Sequence, residues 1–301
     1  MIRSLFKHKS YLGYILYGIL LIIGLLYYRF PSDAVGAYLQ STADQISPRY
    51  QVSVGKARLS FPIGMKLMKT KVTSKEDPGT NLFVSDSLLI KPDLWSLLKG
   101  ESTYGFDCQT YGGNITGSIH FEANGIDDPE TPLASSIELK GIRIGDYTYF
   151  SSLIGRSVKG ILEGVVTYKG QFDQLLNGTG EANLRISDGF FELLHAVFGL
   201  ESVGFDDLWI KMVLRKKKIT LARVELEGKE IKGTLSGTIR LKNEFSESRL
   251  ALRGSVEPQE DFIRSDKGAA NMLKLFGGRL RKGKFNFVIR GTPADPKIRF
   301  I

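Results

Sequence analysis

The chain has 301 residues, 42% of them hydrophobic, with 33 glycines, three histidines and one cysteine, and its net charge is +9. A single cysteine, Cys108, excludes a disulfide framework within the chain. Three scattered histidines without a second ligand at metal-binding spacing give no zinc signature.

Residues 11–28, YLGYILYGILLIIGLLYY, carry no charge. At about 1.5 Å per residue this stretch makes a helix of roughly 27 Å, close to the bilayer's apolar core of about 30 Å. Tyr11, Tyr14, Tyr27 and Tyr28 lie near its ends, where amphipathic rings reach the headgroups, and Leu20, Ile22 and Leu25 lie between them. A cleaved signal peptide and a buried core helix are the competing readings. The apolar run is longer than a signal core of about 7–15 residues, and YYRFPSD follows it in place of a small-x-small cleavage site. Arg3, Lys7 and Lys9 precede the run, whereas only Arg29 follows closely. The positive-inside rule then makes residues 1–10 a cytosolic tip, 11–28 a single-pass anchor, and 29–301 a domain across the membrane. In a bacterium that is a periplasmic domain on the inner membrane.

Beyond the anchor, Pro31 and Ser32 open an amphipathic helix in which Val35, Tyr38, Leu39, Ala43 and Ile46 follow the helical period, with Ser32 as N-cap and Pro48 as its end. The period then changes to two. Alternation places strands near 50–60, 63–73, 81–91, 103–110, 114–123, 135–144, 159–169, 178–187 and 207–214, and again at Ile219 and Leu221. The clearest strand starts at Ile231, with Ile231, Leu235, Ile239 and Leu241 on one face and Lys232, Arg240 and Lys242 on the other. Leu250 and Leu252 repeat the pattern, as do Phe285, Phe287 and Ile289. Links such as Glu76-Asp77-Pro78-Gly79, Asn124-Gly125, Asn243-Glu244 and Arg215-Lys216-Lys217-Lys218 are short and polar, which predicts an antiparallel meander. Helices are expected at Pro92–Leu98, at Phe190–Phe198 behind Ser187 or Asp188, and at Pro258–Phe276. Each would cover part of the sheet or close one end of it. Glycine exceeds the average of about 7% and recurs inside strands, at Gly141, Gly164, Gly180, Gly233, Gly237 and Gly254. Glycines there mark bends, so the expected fold is mainly β, a curved incomplete barrel or trough with short helices. The strands form either one continuous trough or two stacked β units, with the boundary then near 150–160.

Catalytic constellations are lacking in the pattern. No G-x-S-x-G elbow occurs, and Gly155 with Gly160 lacks the Lys-Ser/Thr of a phosphate loop. His195 sits in an apolar block, and Asp127-Asp128 and Asp206-Asp207 are read as turn residues. Asn114 and Asn177 match the glycosylation acceptor pattern, which carries no weight in a bacterial chain. The chain is therefore read as a non-enzyme without catalytic residues, metal or cofactor. From Arg264 onward ten Lys or Arg face two Asp, a basic end suited to anionic lipid or an acidic partner. Nucleic acid is not a partner across a membrane.

The segment LLIKPDLWSLLKGESTYGFDCQTYGGNITGSI, with its "LLKGE" and "GGxIxG" patches, and the later ITLARVELEGKEIKGTLSGTIRL and IRGTPADPKIRF, carry a resemblance. The chain resembles the AsmA-like superfamily and, within it, type II secretion system protein N (GspN). That resemblance implies a bitopic accessory subunit of the apparatus that exports folded periplasmic proteins, with other secretion-system proteins as partners. It supplies no active-site residues. The alternative is a lipid-binding or lipid-transfer module in which Ile231, Leu235, Ile239, Leu241, Leu250, Leu252, Phe285, Phe287 and Ile289 line a groove for phospholipid acyl chains. The same residues could equally form an ordinary core under the three helices.

Overall fold

A computed structural model describes residues 14, 17–18, 21–22, 24–25, 27–46, 50–61, 63–75, 77, 79–122, 131–171, 174–197, 200–265 and 283–301. Strict alternation of side chains with short polar links leaves each strand one dry face and an adjacent partner. The result is a single open antiparallel sheet of 14 strands whose spatial order is the chain order. The strands are β1 (Tyr50–Leu59), β2 (Met65–Ser74), β3 (Asn81–Pro92), β4 (Ser102–Thr110), β5 (Gly113–Phe121), β6 (Pro132–Arg143) and β7 (Val158–Gln171). They continue as β8 (Thr179–Val197), β9 (Leu200–Arg215), β10 (Lys218–Glu227), β11 (Ile231–Arg240), β12 (Arg249–Pro258), β13 (Phe285–Gly291) and β14 (Pro296–Phe300). Among the described residues α1 (Ser32–Ile46) precedes the sheet, and α2 (Leu94–Leu98), α3 (Thr148–Ile154) and α4 (Glu260–Ser265) lie in its links.

The basic run at 215–218 is a two-residue hairpin tip. Lys216 and Lys217 both take positive φ, 47° and 61°, the geometry that matches the twist of the flanking strands. No break occurs near 150–160. β6 pairs with β7 from Pro132↔Gln171 to Arg143↔Ile161, and α3, which the periodicity does not announce, fills the link between them.

Three expectations are corrected. Phe190–Phe198 is not a helix: residues 179–197 are one long strand, paired with β9 from Thr179↔Arg215 to Val197↔Leu200. The apolar block is compatible with either structure, and β9 supplies the ladder that decides. Asp188 caps nothing and instead takes φ 48° inside β8. Asp206 and Asp207 are not at a turn but within β9. Ser32 is the first residue of α1 in place of its cap, since the Val35 N–H already bonds the Pro31 carbonyl at 3.0 Å. The helix expected over Pro258–Phe276 is present as α4, and its part beyond Ser265 lies outside the described residues.

Residues 1–10, Tyr11, Leu20, Asn124-Gly125, Asp127-Asp128 and the basic residues from 267 to 282 also lie outside them. Of the anchor run, Tyr14, Ile22, Leu25, Tyr27 and Tyr28 are helical and exposed. Among the described residues no helix is long and apolar enough to cross a membrane.

Candidate functional site

In an antiparallel sheet, residues directly opposite one another share a face. Following the register from β1 to β14 gives Ala57, Leu67, Leu88, Cys108, Ile115, Leu139, Gly164, Leu184, Ile210, Val224, Leu235, Gly254, Phe287 and Phe300. Every strand contributes one residue, and none is polar. The next row on the same face begins Leu59, Met65, Ile90, Phe106, Gly117, Ile137 and Val166. It ends Ala182, Met212, Leu221, Gly237, Leu252, Ile289 and Ile298, again without a polar side chain. The row between them on the opposite face begins Arg58, Lys66, Leu89, Asp107, Thr116 and Glu138. One face of the sheet is therefore dry from edge to edge and the other is wet.

Aromatic rings and glycines alternate within these rows for a steric reason. A Cβ added to Gly254 would lie 2.6 Å from Cζ of Phe287, its cross-strand partner, and one on Gly117 would lie 2.8 Å from Cζ of Phe106. Each ring lies across the bare backbone opposite it, a packing that a larger residue would prevent.

A cavity of about 380 Å³ opens on the dry face over β8–β14. Phe191, Leu193, Val203, Leu208, Val224, Leu226, Leu235, Phe287 and Phe300 line it, and seven successive strands contribute. Its only hydroxyl-bearing lining residues, Thr234 and Ser255, bond each other at 2.9 Å. The site thus offers apolar contact and no unmet polar group, a chemistry suited to hydrocarbon.

The residues proposed from sequence lie together here. Ile231, Leu235 and Ile239 of β11 stand beside Leu250 and Leu252 of β12, and those beside Phe285, Phe287 and Ile289 of β13. Ile231, Leu235, Phe287 and Ile289 line the cavity; Leu252 and Phe285 are buried around it. Leu241 falls outside, in the link after β11, where its N–H bonds the Lys217 carbonyl. Sequence reasoning missed the contribution of β8–β10 and β14. For β8 the signal was hidden by the helical reading. For β9 and β10 it was present as alternation, but alternation does not say which strands meet.

Elsewhere the candidate chemistry is structural. His120 accepts or donates through Nδ1 to the Thr103 hydroxyl at 2.8 Å within the β4–β5 pair. His195 lies in β8, and its side chain is outside the described residues. Cys108 is buried, its thiol donates to the Ser85 hydroxyl at 3.3 Å, and burial raises its pKa. It is a protonated packing residue. On the wet face Arg185 bonds Asp207 at 2.6 Å and lies over the Trp209 ring at 4.8 Å, an exposed pair worth little stability.

No family model matches the chain, no curated protein matches it, and no solved structure matches it.

Proposed function

We propose that this chain is a non-enzymatic protein of the bacterial inner membrane, tethered by residues 11–28, whose periplasmic sheet holds acyl chains on its dry face. The observation that carries the reading is the pair of apolar rows unbroken across all 14 strands. An isolated core needs apolar residues in its centre. A face that is apolar out to both edges suits a guest that lies along it.

The test is lipid analysis of the full chain, purified from membranes in mild detergent. Phospholipid should copurify with the native chain, and Leu235→Asp with Phe287→Asp should reduce it by about tenfold or more, since a carboxylate excludes hydrocarbon from the groove. Equal lipid in both preparations, or none in either, would overturn the reading.

A second reading, an accessory subunit of type II secretion as the GspN resemblance implies, is favoured by a free sheet edge. The Ile301 N–H bonds the Asn286 carbonyl, so in alternation the N–H groups of Ile298 and Phe300 point away from β13. Such an edge can add a partner's strand. Deletion of the gene should then strand exported proteins in the periplasm. Normal secretion with altered outer-membrane permeability would count against this reading and not against acyl binding.

A further inference from the structure

One end of the sheet gathers exposed apolar residues that belong to no core. The link between β1 and β2 carries Phe61 and Ile63, exposed by 73% and 53%. The segment between β3 and β4 carries α2, which buries none of its residues. Trp95 is 75% exposed there and Leu98 78%. The register puts these segments side by side: Leu59 pairs with Met65, Met65 with Ile90, and Pro92 with Tyr104. α2 was expected to cover part of the sheet or close one end of it; it lies at the sheet's end with none of its residues buried.

Two observations say what meets this rim. The Tyr27 hydroxyl, at the end of the anchor run, donates to the Leu59 carbonyl at 2.9 Å, so the rim lies where the tether joins the sheet. Arg58, Lys66, Lys91 and Lys99 are exposed around it, and no carboxylate among the described residues pairs with them. Asp93, the acid closest to Trp95 in the chain, accepts from the Trp95 N–H at 3.0 Å and is engaged in capping α2. A tryptophan and leucines flanked by cations that no described carboxylate pairs suit the interface of an anionic bilayer, where apolar rings enter between headgroups and cations meet phosphate.

We infer that α2 and the β1–β2 tip dip into the headgroup region of the membrane that holds the tether, seating the near end of the dry face on lipid. This rests on the tether proposed above. The same rim also bounds the apolar rows, since Leu59, Met65 and Ile90 open the second row and lie next to it. A seated rim would let an acyl chain pass between bilayer and sheet without crossing water.

Two tryptophans make the test direct. The full chain is reconstituted into vesicles of phosphatidylethanolamine and phosphatidylglycerol, about 3:1, containing lipid brominated near the headgroup end of its acyl chains. In Trp209→Phe, where Trp95 alone emits, about half of the fluorescence should be quenched, as expected for a ring at the interface. In Trp95→Phe, the emission of Trp209, on the wet face, should be unchanged by bromination. Phe61→Glu with Leu98→Glu in the Trp209→Phe background should keep the chain on vesicles in flotation and abolish the quenching. A chain that floats with vesicles while Trp95 stays unquenched overturns this inference and leaves the tether standing. Quenching unaffected by the paired glutamates also overturns it. A chain that fails to float overturns the tether and the seating with it.

Discussion

Between β2 and β5 the sheet is closed by small side chains and aromatic stacking; between β8 and β14 it stays open. In the first region Cys108, Ser85 and Thr110 are almost fully buried. The Tyr111 hydroxyl accepts the Val84 N–H at 3.0 Å, and its ring meets those of Phe83 and Tyr147 at 6.1 and 5.1 Å. Tyr147 in turn stacks on Phe150 of α3. In the second region the β9–β10 link is the two-residue tip Lys216-Lys217, while the β12–β13 link carries α4, whose Phe262 is buried. Phe287, Ile298 and Phe300 remain partly exposed around the cavity. The lesson is physical: the same alternation makes a core where a connecting segment brings rings to cover it, as Tyr147 and Phe150 do, and leaves Ile298 and Phe300 partly exposed beside a short link. Full burial of a Leu or Phe contributes about 1.5–3 kcal/mol, so the partly exposed apolar residues of the second region leave part of this unrealised.

The sharpest way to break this contrast is one charge in each region. Leu67 is buried, and Leu67→Asp should destabilise the fold by roughly 4 kcal/mol in urea unfolding, since its carboxylate has no water and no partner. Leu235 lies half-buried on the cavity wall, so Leu235→Asp should cost about 1 kcal/mol or less while removing bound lipid. Equal losses at the two positions would mean that the regions are packed alike. Tyr111→Phe is a smaller probe. It leaves the Val84 N–H without its acceptor, costing about 1–3 kcal/mol, and should reduce near-ultraviolet circular dichroism without changing lipid content. The smallest expected effect is alkaline loosening. Burial raises the pKa of Cys108 and Tyr111 in the closed region and of Tyr147, which packs on Tyr111. Groups whose folded pKa is raised stabilise fully below their unfolded values, and that contribution is lost as pH climbs through the folded ones. Alkylation of Cys108 should therefore rise steeply only above the ordinary thiol range, ahead of any release of lipid. Labelling that follows ordinary thiol titration would show that the closed region is open to water.

Much of the sheet was legible because period-two alternation survives any tertiary context. The strand at Ile231 and the hairpin at Lys216-Lys217 follow from it, as do the faces carrying Leu250 and Phe287. FFELLHAVF was misread because an apolar block of nine residues carries no decisive period, and only β9, reached through residues 198–199, selects a strand. The helix α3 was missed because TYFSSLI is short and has no side-chain N-cap; its one signal, Gly155 in the left-handed region at its C-cap, went unread. The groove's residues on β11, β12 and β13 were legible as faces, but its floor on β8 and its far wall on β14 were not.

The sequence by itself determined most of the strands, the wet and dry sides of each, and the chargeless run of residues 11–28, because these depend on local spacing and composition. Only the tertiary structure decided that fourteen dry sides align into continuous rows, that Tyr27 meets Leu59, and that one region closes while another stays open. Register and cover arise from contacts between segments distant in the chain, and no local pattern encodes them.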